Sequence, residues 1–281
     1  MDTREQTTII FVPTWRCNLS CSYCDYRTQE IKGDGDVSGY RMQCFGEEWE
    51  FGKEISWPAW LVYLNRFRPY HLELTGGEPT MYGQLADLLA HIPCDSSWAI
   101  TSNTLNDVRL FEPQNCKFWT ASYHYKKREQ FLKNMDWLKR RGFACRVTMV
   151  MTPENADHMF SVMRDFRKLD IMVNVHPVLK QGFSWAEHKE LLAQARALHD
   201  GVWVNLVEEV PKEYKPRKYA GCNAGGKYFA LMPDGTVLRC YSALLWRGRE
   251  GHIGSYEPSA RIRPCNQKCL FHCDDRAEKH R

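Results

Sequence analysis

The sequence predicts an α/β protein that consists of a partial (β/α)6 barrel of the TIM type and a small cysteine-rich domain with a β-hairpin. Strand-like and helix-like segments alternate along most of the 281-residue chain. Each strand is followed by a loop or a helix, which is typical of parallel strands joined by right-handed crossovers. Six such units are too few for an eight-stranded barrel, so we expect an open, partial one.

The predicted strands are short runs of apolar and β-branched residues. They cover residues 7–13, 71–75, 98–102, 117–124, 144–152 and 171–179. The predicted helices cover residues 56–67, 83–92, 128–141, 153–169 and 184–199. We expect Ser56 to cap the first helix, Pro58 to lie in its first turn and Gly142 to end the third helix. Residues 25–53 are polar and contain several glycines, which favours an inserted loop.

The alternation ends near residue 205, which predicts two domains that cover residues 1–204 and 205–281. In the second, KYFALMPDGTVLRCYS contains two short apolar runs joined by Pro233-Asp234-Gly235, a sequence that favours a hairpin turn. Active sites of parallel α/β sheets lie at the carboxyl ends of the strands. The segment that directly follows the first strand is therefore a candidate site.

Composition excludes several classes of protein. The hydrophobic fraction of 43% and the charged fraction of 26% are those of an ordinary globular protein. A net charge of +4 is too small to indicate a nucleic-acid or membrane partner. We find no signal peptide and no run of about 18 apolar residues, so we expect a cytoplasmic protein.

Twelve cysteines in a chain of this kind favour metal or redox chemistry over disulfides. Three lie in residues 17–24 and five lie in residues 222–273. The other four stand alone in the sequence, and we interpret them as small buried apolar residues. They are Cys44, Cys94, Cys116 and Cys145.

The segment CNLSCSYC, residues 17–24, has the spacing Cys17-x3-Cys21-x2-Cys24 and directly follows the first strand. Thiolates select zinc or iron-sulfur clusters. A structural zinc site needs a fourth protein ligand, and the nearest cysteine, Cys44, lies across a polar stretch. The alternative is a 4Fe-4S cluster with one iron left open for a substrate or cofactor.

Two further segments follow predicted strands. LTGGEPT, residues 74–80, contains two glycines, which would let a ligand approach the backbone, and Glu78, which can accept from an ammonium group. ITSNT, residues 100–104, ends the third strand with small polar residues. Tyr23 places an aromatic residue before the last cysteine of CNLSCSYC.

Together these segments resemble the radical S-adenosylmethionine (SAM) superfamily over about residues 8–200. The resemblance implies that Cys17, Cys21 and Cys24 bind a 4Fe-4S cluster and that SAM occupies the fourth iron site, where it is cleaved to a 5'-deoxyadenosyl radical. It implies further cofactor-binding residues near SAM. These are Tyr23, then Gly76, Gly77, Glu78 and Pro79 at the SAM amino group, and Ser102 and Asn103 at its ribose and methionine parts.

The C-terminal cysteines form a second group, Cys222-x12-Gly235-x4-Cys240 followed by Cys265-x3-Cys269-x3-Cys273. A separate zinc ribbon is one interpretation. The pattern also resembles the SPASM and twitch extensions of radical SAM enzymes; a full SPASM domain carries seven cysteines, so these five fit the single-cluster twitch type better. Four would bind one auxiliary 4Fe-4S cluster, and the fifth would be a structural thiol or a hydrogen-atom donor.

Side chains alternate along a strand, so every second residue shares one face. The polar face of the last three predicted strands is expected to point into the barrel. It comprises Thr120, Ser122 and His124, then Ala144, Arg146 and Thr148, then Met172, Asn174 and His176. Arg146, His124 and His176 are the candidate catalytic bases.

The resemblance implies an oxidoreductase or epimerase. Our first expectation is the dehydrogenation or epimerisation of a small polar metabolite such as a sugar or aminocyclitol, with flavodoxin or ferredoxin as electron donor. The alternative is maturation of a ribosomally synthesised peptide. Many such maturases carry an N-terminal peptide-binding domain, for which a first strand near residue 8 leaves no room, although a partner protein could supply it. A non-catalytic iron-sulfur or zinc module is a third interpretation, under which GGEP has no SAM to hold.

Overall fold

The structure is a computed structural model. It describes residues 6–24, 26–32, 37–44, 47–125, 127–151, 155–177, 193, 197, 202–204, 219–222, 224–245, 249–258 and 263–265. The chain divides into two compact units. The first comprises Met1–Ser20, Cys24–Trp98 and Pro211–Arg281, and the second comprises Cys21–Tyr23 and Ala99–Val210.

The secondary structure begins with a strand and places most of its helices between parallel strands. The strands are β1 (Thr7–Phe11), β2 (Tyr26–Lys32), β3 (Val37–Cys44), β4 (Glu47–Gly52), β5 (Tyr70–Leu74), β6 (Ser97–Ser102), β7 (Cys116–Tyr123), β8 (Cys145–Met151), β9 (Met172–Pro177), β10 (Val202–Val204), β11 (Tyr219–Cys222), β12 (Tyr228–Leu231), β13 (Thr236–Leu238), β14 (Arg249–His252) and β15 (Arg263–Cys265). The α-helices are α1 (Trp57–Leu64), α2 (Leu85–Ala90), α3 (Arg128–Arg140) and α4 (Ala156–Lys168). The six predicted strands correspond to β1 and β5–β9.

The helix ends agree with prediction in part. Gly142 follows α3 with a φ of +94°, as expected for a residue that ends a helix. Ser56 precedes α1, but its side chain makes no capping bond. Instead, the side-chain oxygen of Gln84 accepts from the backbone N–H of Trp57 at 2.9 Å. The predicted helix at 184–199 lies outside the described residues, except for Ala193 and Ala197, which are helical.

In the first unit the strands follow the order β5-β1-β12-β13-β14. β1 is parallel to both of its neighbours, so that Ile10 lies level with Glu73 on β5 and with Ala230 on β12. β12, β13 and β14 are antiparallel to one another. The buried side chains of β1 thus lie in the interior of this part of the sheet.

The C-terminal hairpin is confirmed. Pro233-Asp234-Gly235 connects β12 to β13, Gly235 has a φ of +82°, and the Asp234 carboxylate accepts from the backbone N–H of Thr236 at 3.0 Å. The hairpin extends the sheet, because β12 hydrogen-bonds along β1. The compact units therefore divide the chain differently from the boundary predicted at residues 204 and 205.

Residues 25–53 were predicted as an inserted loop, and this prediction is wrong. β2, β3 and β4 form a three-stranded antiparallel sheet. Alternate side chains on β3 and β4 are buried in one core with Val12 and Leu238. The buried set is Tyr40, Met42, Cys44, Trp49 and Phe51. The indole N–H of Trp49 donates to the carbonyl of Leu244 at 3.0 Å, which fixes this sheet to the C-terminal segment of the same unit.

In the second unit the strands follow the order β6-β7-β8-β9-β10, and β7 to β10 are parallel. The face of β7, β8 and β9 opposite the predicted polar face is buried. It comprises Trp119, Ala121, Tyr123, Val147, Met149, Val173 and Val175. Tyr123 meets Phe131 of α3 and Phe166 of α4 edge-on, with ring centroids 5.0 and 5.9 Å away. Closure of these strands into a partial barrel stays a prediction.

The four isolated cysteines differ in exposure. Cys44 is buried, as predicted, whereas Cys94 is exposed in the loop before β6, so the prediction is wrong there. Cys116 and Cys145 are half-buried, and burial raises the pKa of each thiol to about 12. Both thiols are therefore protonated at neutral pH. No helix among the described residues is long and apolar enough to cross a membrane.

Replacement of Trp49, whose side chain is 3% exposed, tests whether β2–β4 is part of the core. We expect Trp49→Ala to lower the free energy of unfolding by about 3–5 kcal/mol, because it removes a large buried ring and leaves a cavity. Val62→Ala on α1, at a side chain 67% exposed, is the control and should change it by at most about 0.5 kcal/mol. Urea denaturation of both variants is the measurement, and equal stability would contradict the packed sheet.

Candidate active site

The loops after β1 and β5 are joined backbone to backbone. The N–H of Thr75 donates to the carbonyl of Phe11 at 3.0 Å, and the N–H of Gly77 donates to that of Thr14 at 3.3 Å. The N–H of Glu78 donates to the carbonyl of Arg16 at 2.7 Å, one residue before Cys17. We call the two paired segments, residues 11–16 and 75–78, the loop junction. It fixes GGEP to the start of the cysteine loop, residues 17–24.

The glycines of GGEP are required by the loop junction itself. A Cβ on Gly76, which has a φ of +124°, would lie 2.5 Å from the Val12 side chain. A Cβ on Gly77 would lie 2.3 Å from the Arg16 carbonyl oxygen and 2.5 Å from that of Trp15. The sequence led us to expect that these glycines give a ligand access to the backbone. The structure shows that they let one loop of the protein approach the other.

Glu78 is a buried carboxylate, 1% exposed, at the end of the loop junction. Its Oε1 accepts from the backbone N–H of Thr80 at 3.1 Å and from the Thr80 hydroxyl at 2.6 Å. Pro79 begins a short 3-10 turn, Pro79–Met81, which presents that N–H. A carboxylate has about four acceptor positions, so the two bonds from Thr80 do not by themselves exhaust it. A buried anion of this kind is suited to a cationic group such as an ammonium.

A polar network that the sequence did not reveal holds the residue before Cys17. The guanidinium of Arg16 pairs with Glu54 at 2.9 Å, and its Nε approaches the hydroxyl of Thr14 at 3.4 Å. The hydroxyl of Tyr40 on β3 donates to the same Glu54 carboxylate. Burial and this bond raise the pKa of Tyr40, so the hydroxyl stays protonated. No spacing rule could have found the network, because its members are far apart in the chain.

The three cysteines of the cysteine loop provide a soft donor set. Cys17 and Cys24 are exposed and Cys21 is half-buried. The backbone N–H of Tyr26 donates to the sulfur of Cys24 at 3.4 Å, a contact that stabilises a thiolate. Within the parts of the chain that the structure describes, no three metal-binding side chains converge on a single ion. In a 4Fe-4S cluster each cysteine binds a different iron, and three thiolates in eight residues fit such a group.

His124, a predicted base, follows β7 in the second unit and contacts Tyr23 and Cys21. Its Nδ1 lies 2.6 Å from the Tyr23 hydroxyl and 3.5 Å from the Cys21 sulfur. The two rings are nearly parallel, with an interplanar angle of 13° and centroids 6.0 Å apart. Burial lowers the pKa of His124 to about 4, so the imidazole is neutral at physiological pH.

Ser102 and Asn103 are buried at the end of β6 and stabilise the turn that follows. The Ser102 hydroxyl accepts from the N–H of Thr104 at 2.9 Å, and the Asn103 side chain accepts from the N–H of Leu105 at 3.1 Å. Asn134 of α3, which the sequence did not single out, donates to the Thr104 carbonyl at 2.7 Å. The turn is therefore held at a fixed position within the second unit.

Six of the nine residues of the predicted polar face form two rows set by the register of β7, β8 and β9. The rows are Thr120, Arg146 and Met172, and Ser122, Thr148 and Asn174. Asn174 has a buried Oδ1 that lacks a hydrogen-bond partner within the described residues. The side chain of His176, the third candidate base, is outside the described part of the structure.

Arg146 is not brought to His124. Tyr123 lies level with Met149, so His124 lies level with the residue of β8 that follows Met149. Arg146 lies four residues before that residue. At about 3.3 Å per residue, the two levels are about 13 Å apart. The Arg146 side chain is exposed, and its Nε donates to the Thr120 hydroxyl at 2.7 Å. Arg146 and His124 were alternative candidates for the base, and the role of Arg146 stays a prediction.

Two of the five C-terminal cysteines lie on paired strands. β11 and β15 are antiparallel, with Tyr219 level with Cys265 and Cys222 level with Arg263. Cys222 and Cys265 therefore lie on adjacent strands, at opposite ends of the pair. Cys240 is half-buried and packs against the core that contains β3 and β4. Cys269 and Cys273 lie outside the described residues.

Comparison with known proteins gives structural matches only. No protein-family model and no curated protein sequence matches this chain. Streptococcus suis SuiB bound to the precursor peptide SuiA is 15% identical, with a TM-score of 0.55 over 85% of this chain and 60% of SuiB. SuiB bound to S-adenosylmethionine gives the same identity and TM-score over 89% of this chain and 62% of SuiB. Native anSMEcpe with bound AdoMet and Kp18Cys peptide is 15% identical, with a TM-score of 0.57 over 88% and 78%.

These matched proteins are radical SAM enzymes, so an α/β fold like theirs is confirmed for this chain, whereas the partial barrel and the twitch-type C-terminal domain stay predictions. Identities of 15% show the fold alone. This chain spans about 60% of the length of SuiB.

The loop junction can be tested with a pair of glycine variants. We expect Gly77→Ala to lower the free energy of unfolding by about 1–3 kcal/mol, because its Cβ would collide with two backbone oxygens. Gly83→Ala is the matched control, since a Cβ there meets nothing within 4 Å, and should change it by at most about 1 kcal/mol. Chemical denaturation of both cluster-free proteins is the measurement. If Gly77→Ala is as stable as Gly83→Ala, the close approach of the two loops is wrong.

Proposed function

We propose that this chain, which has the fold of the radical SAM enzymes, binds a 4Fe-4S cluster and SAM and starts radical chemistry on a peptide. The single observation that carries the proposal is the loop junction. It joins the segment before the cysteine loop to the loop that carries the buried Glu78. The three cysteines, which can bind a metal cluster, and Glu78, which can accept from an ammonium group, therefore both adjoin the loop junction.

Each residue of the proposed site has a specific task. Cys17, Cys21 and Cys24 hold the cluster and leave one iron for SAM, and Glu78 accepts from the amino group of SAM. Bound there, the cluster and SAM would supply the 5'-deoxyadenosyl radical that removes a hydrogen atom from substrate. Tyr23 lies before the last cysteine and serves the nucleoside end.

Ser102 and Asn103 are proposed to serve the ribose and methionine parts of SAM. The support for this is local, since both are buried polar residues in a turn that Asn134 holds in place. Their side-chain oxygens already accept backbone N–H groups. We therefore propose two roles for Ser102 and Asn103. They stabilise the backbone conformation of the turn, and they contact SAM directly.

A second, auxiliary 4Fe-4S cluster is proposed at the C-terminal cysteines. The pairing of β11 with β15, which places Cys222 and Cys265 on adjacent strands, supports it. Cys240 follows the hairpin strand β13 in the same unit. Cys269 and Cys273 are the remaining candidates, and one of the five would not bind the cluster.

The proposed substrate is a peptide, because SuiB is bound to a precursor peptide and anSMEcpe to a Kp18Cys peptide in the matched structures. These comparisons favour the peptide over the sugar or aminocyclitol expected first from the sequence. A small polar metabolite is the second candidate. It is supported by the polar rows on β7–β9 and by the buried Oδ1 of Asn174, which needs a donor. Flavodoxin or ferredoxin is the proposed electron donor.

Reductive cleavage of SAM tests the proposed function. Anaerobically reconstituted protein with dithionite should convert SAM to 5'-deoxyadenosine, because the open iron lets electrons enter the bound SAM. Cys21→Ala should reduce the product to the level without protein, whereas Cys94→Ala, at an exposed cysteine outside the cysteine loop, should retain the rate. Chromatographic quantification of 5'-deoxyadenosine is the measurement. If the cluster-loaded wild-type protein does not cleave SAM, the proposal that this chain is a radical SAM enzyme is wrong.

The auxiliary cluster is tested by iron content. Reconstituted wild-type protein should bind about eight irons per chain, and the triple variant Cys17→Ala, Cys21→Ala, Cys24→Ala should keep about four. Colorimetric iron analysis with parallel protein quantification measures this. A triple variant without iron would mean that the C-terminal cysteines hold no cluster of their own.

The substrate class is tested by isotope transfer. Extract from cells grown in deuterated medium is separated into a peptide fraction and a small-molecule fraction, and each is added to the reconstituted enzyme with SAM. Deuterium should appear in 5'-deoxyadenosine with the peptide fraction, because the radical takes its hydrogen atom from the substrate. Mass spectrometry of 5'-deoxyadenosine is the measurement. Transfer only from the small-molecule fraction would favour the metabolite.

A further inference from the structure

We infer that His124 is a positioning residue that holds Tyr23 and Cys21 of the cysteine loop. The inference rests on the proposed function, because it concerns the loop that would bind the cluster and SAM. It differs from the role of catalytic base expected from the sequence. His124 acts through the loop residues that it contacts.

The contacts of the imidazole identify this role. One atom, Nδ1, lies within hydrogen-bond distance of two cysteine-loop residues, the Tyr23 hydroxyl at 2.6 Å and the Cys21 sulfur at 3.5 Å. The nearly parallel rings of His124 and Tyr23 add a second, apolar contact. Because His124 both hydrogen-bonds the Tyr23 hydroxyl and stacks on the Tyr23 ring, it fixes the position and the tilt of that ring.

His124 is itself held by a rigid support. The preceding residue, Tyr123, is buried, and its hydroxyl lies 2.6 Å from Nε2 of His158 on α4. The rings of Tyr123 and His158 are stacked at 6.0 Å, and Phe131 and Phe166 close on the Tyr123 ring edge-on. Successive side chains at the end of a strand point to opposite faces. Tyr123 therefore anchors the backbone in the core while His124 faces the cysteine loop.

Both tautomers of His124 hold Tyr23. If Nδ1 is unprotonated, it accepts from the Tyr23 hydroxyl. If Nδ1 carries the proton, it donates to the Tyr23 oxygen and to the Cys21 sulfur. In either case loss of the nitrogen removes one bond between the cysteine loop and the residue that follows β7, which shifts the loop toward locally open states.

Local opening of the loop is the first readout, and it needs no cluster. The variants are His124→Phe, which keeps a ring without the nitrogen, His124→Asn, which retains a polar atom near the Nδ1 position, and Tyr23→Phe. In cluster-free protein we expect amide hydrogen exchange at residues 21–24 to be about three- to tenfold faster in His124→Phe and Tyr23→Phe, the effect of one hydrogen bond. His124→Asn should exchange nearly as slowly as wild type.

Two controls make this result specific. The double variant with His124→Phe and Tyr23→Phe should exchange no faster than either single variant, because both remove the same bond. His91→Phe, at an exposed histidine on the C-terminal side of α2, should leave exchange at residues 21–24 unchanged. Tyr23→Phe removes one oxygen only, so it keeps the inference testable if His124→Phe fails to fold. Exchange within twofold of wild type in the single variants, or additive effects in the double variant, would overturn it.

SAM affinity is the second readout. In cluster-loaded proteins matched for iron content, equilibrium dialysis should give a Kd for SAM about three- to tenfold higher in His124→Phe, with recovery in His124→Asn. An unchanged Kd in His124→Phe at equal iron content would overturn the positioning role. If the cluster-loaded wild type itself binds no SAM, the proposed function fails, and the exchange measurement alone then decides the role of His124.

Discussion

The close approach of two backbones at the loop junction is the constraint on which the rest of the proposed site depends. Three N–H groups of residues 75–78 donate to carbonyls of residues 11–16, and only glycine fits where Gly77 meets the carbonyls of Trp15 and Arg16. Because β1 and β5 are parallel neighbours, both loops leave the same edge of the sheet. The position of Glu78 is thereby set relative to the residue that precedes Cys17, without any contribution from a ligand.

Each compact unit contains one polar anchor of the cysteine loop or of the residue before it. In the first, Arg16 and Tyr40 converge on Glu54, which ties the entry of the cysteine loop to the β2–β4 sheet. In the second, His124 meets Tyr23 and Cys21 at the end of β7. The first anchor holds the residue before Cys17, and the second holds two residues within the cysteine loop.

The sequence predicted the parallel strands, most helices and the Pro233-Asp234-Gly235 turn, because these depend on local periodicity and turn chemistry. It failed at residues 25–53, where charged residues on the exposed face of β3 and β4 obscured the alternation of Tyr40, Met42 and Trp49. Cys94 was wrongly expected to be buried. The Arg16–Glu54 pair and the contact of His124 with Tyr23 depend on long-range packing, which no local pattern encodes. The role of the GGEP glycines also became clear only from the backbone contacts.

The central claim is that the cysteine loop holds a cluster with one iron left open for SAM. Mössbauer spectroscopy of protein reconstituted with iron-57, before and after addition of SAM, tests this claim most directly. We expect SAM to change the signal of one iron per chain and to leave the others unaltered, and we expect Glu78→Gln to weaken this response while iron content is retained. A spectrum that SAM does not change would contradict the open site.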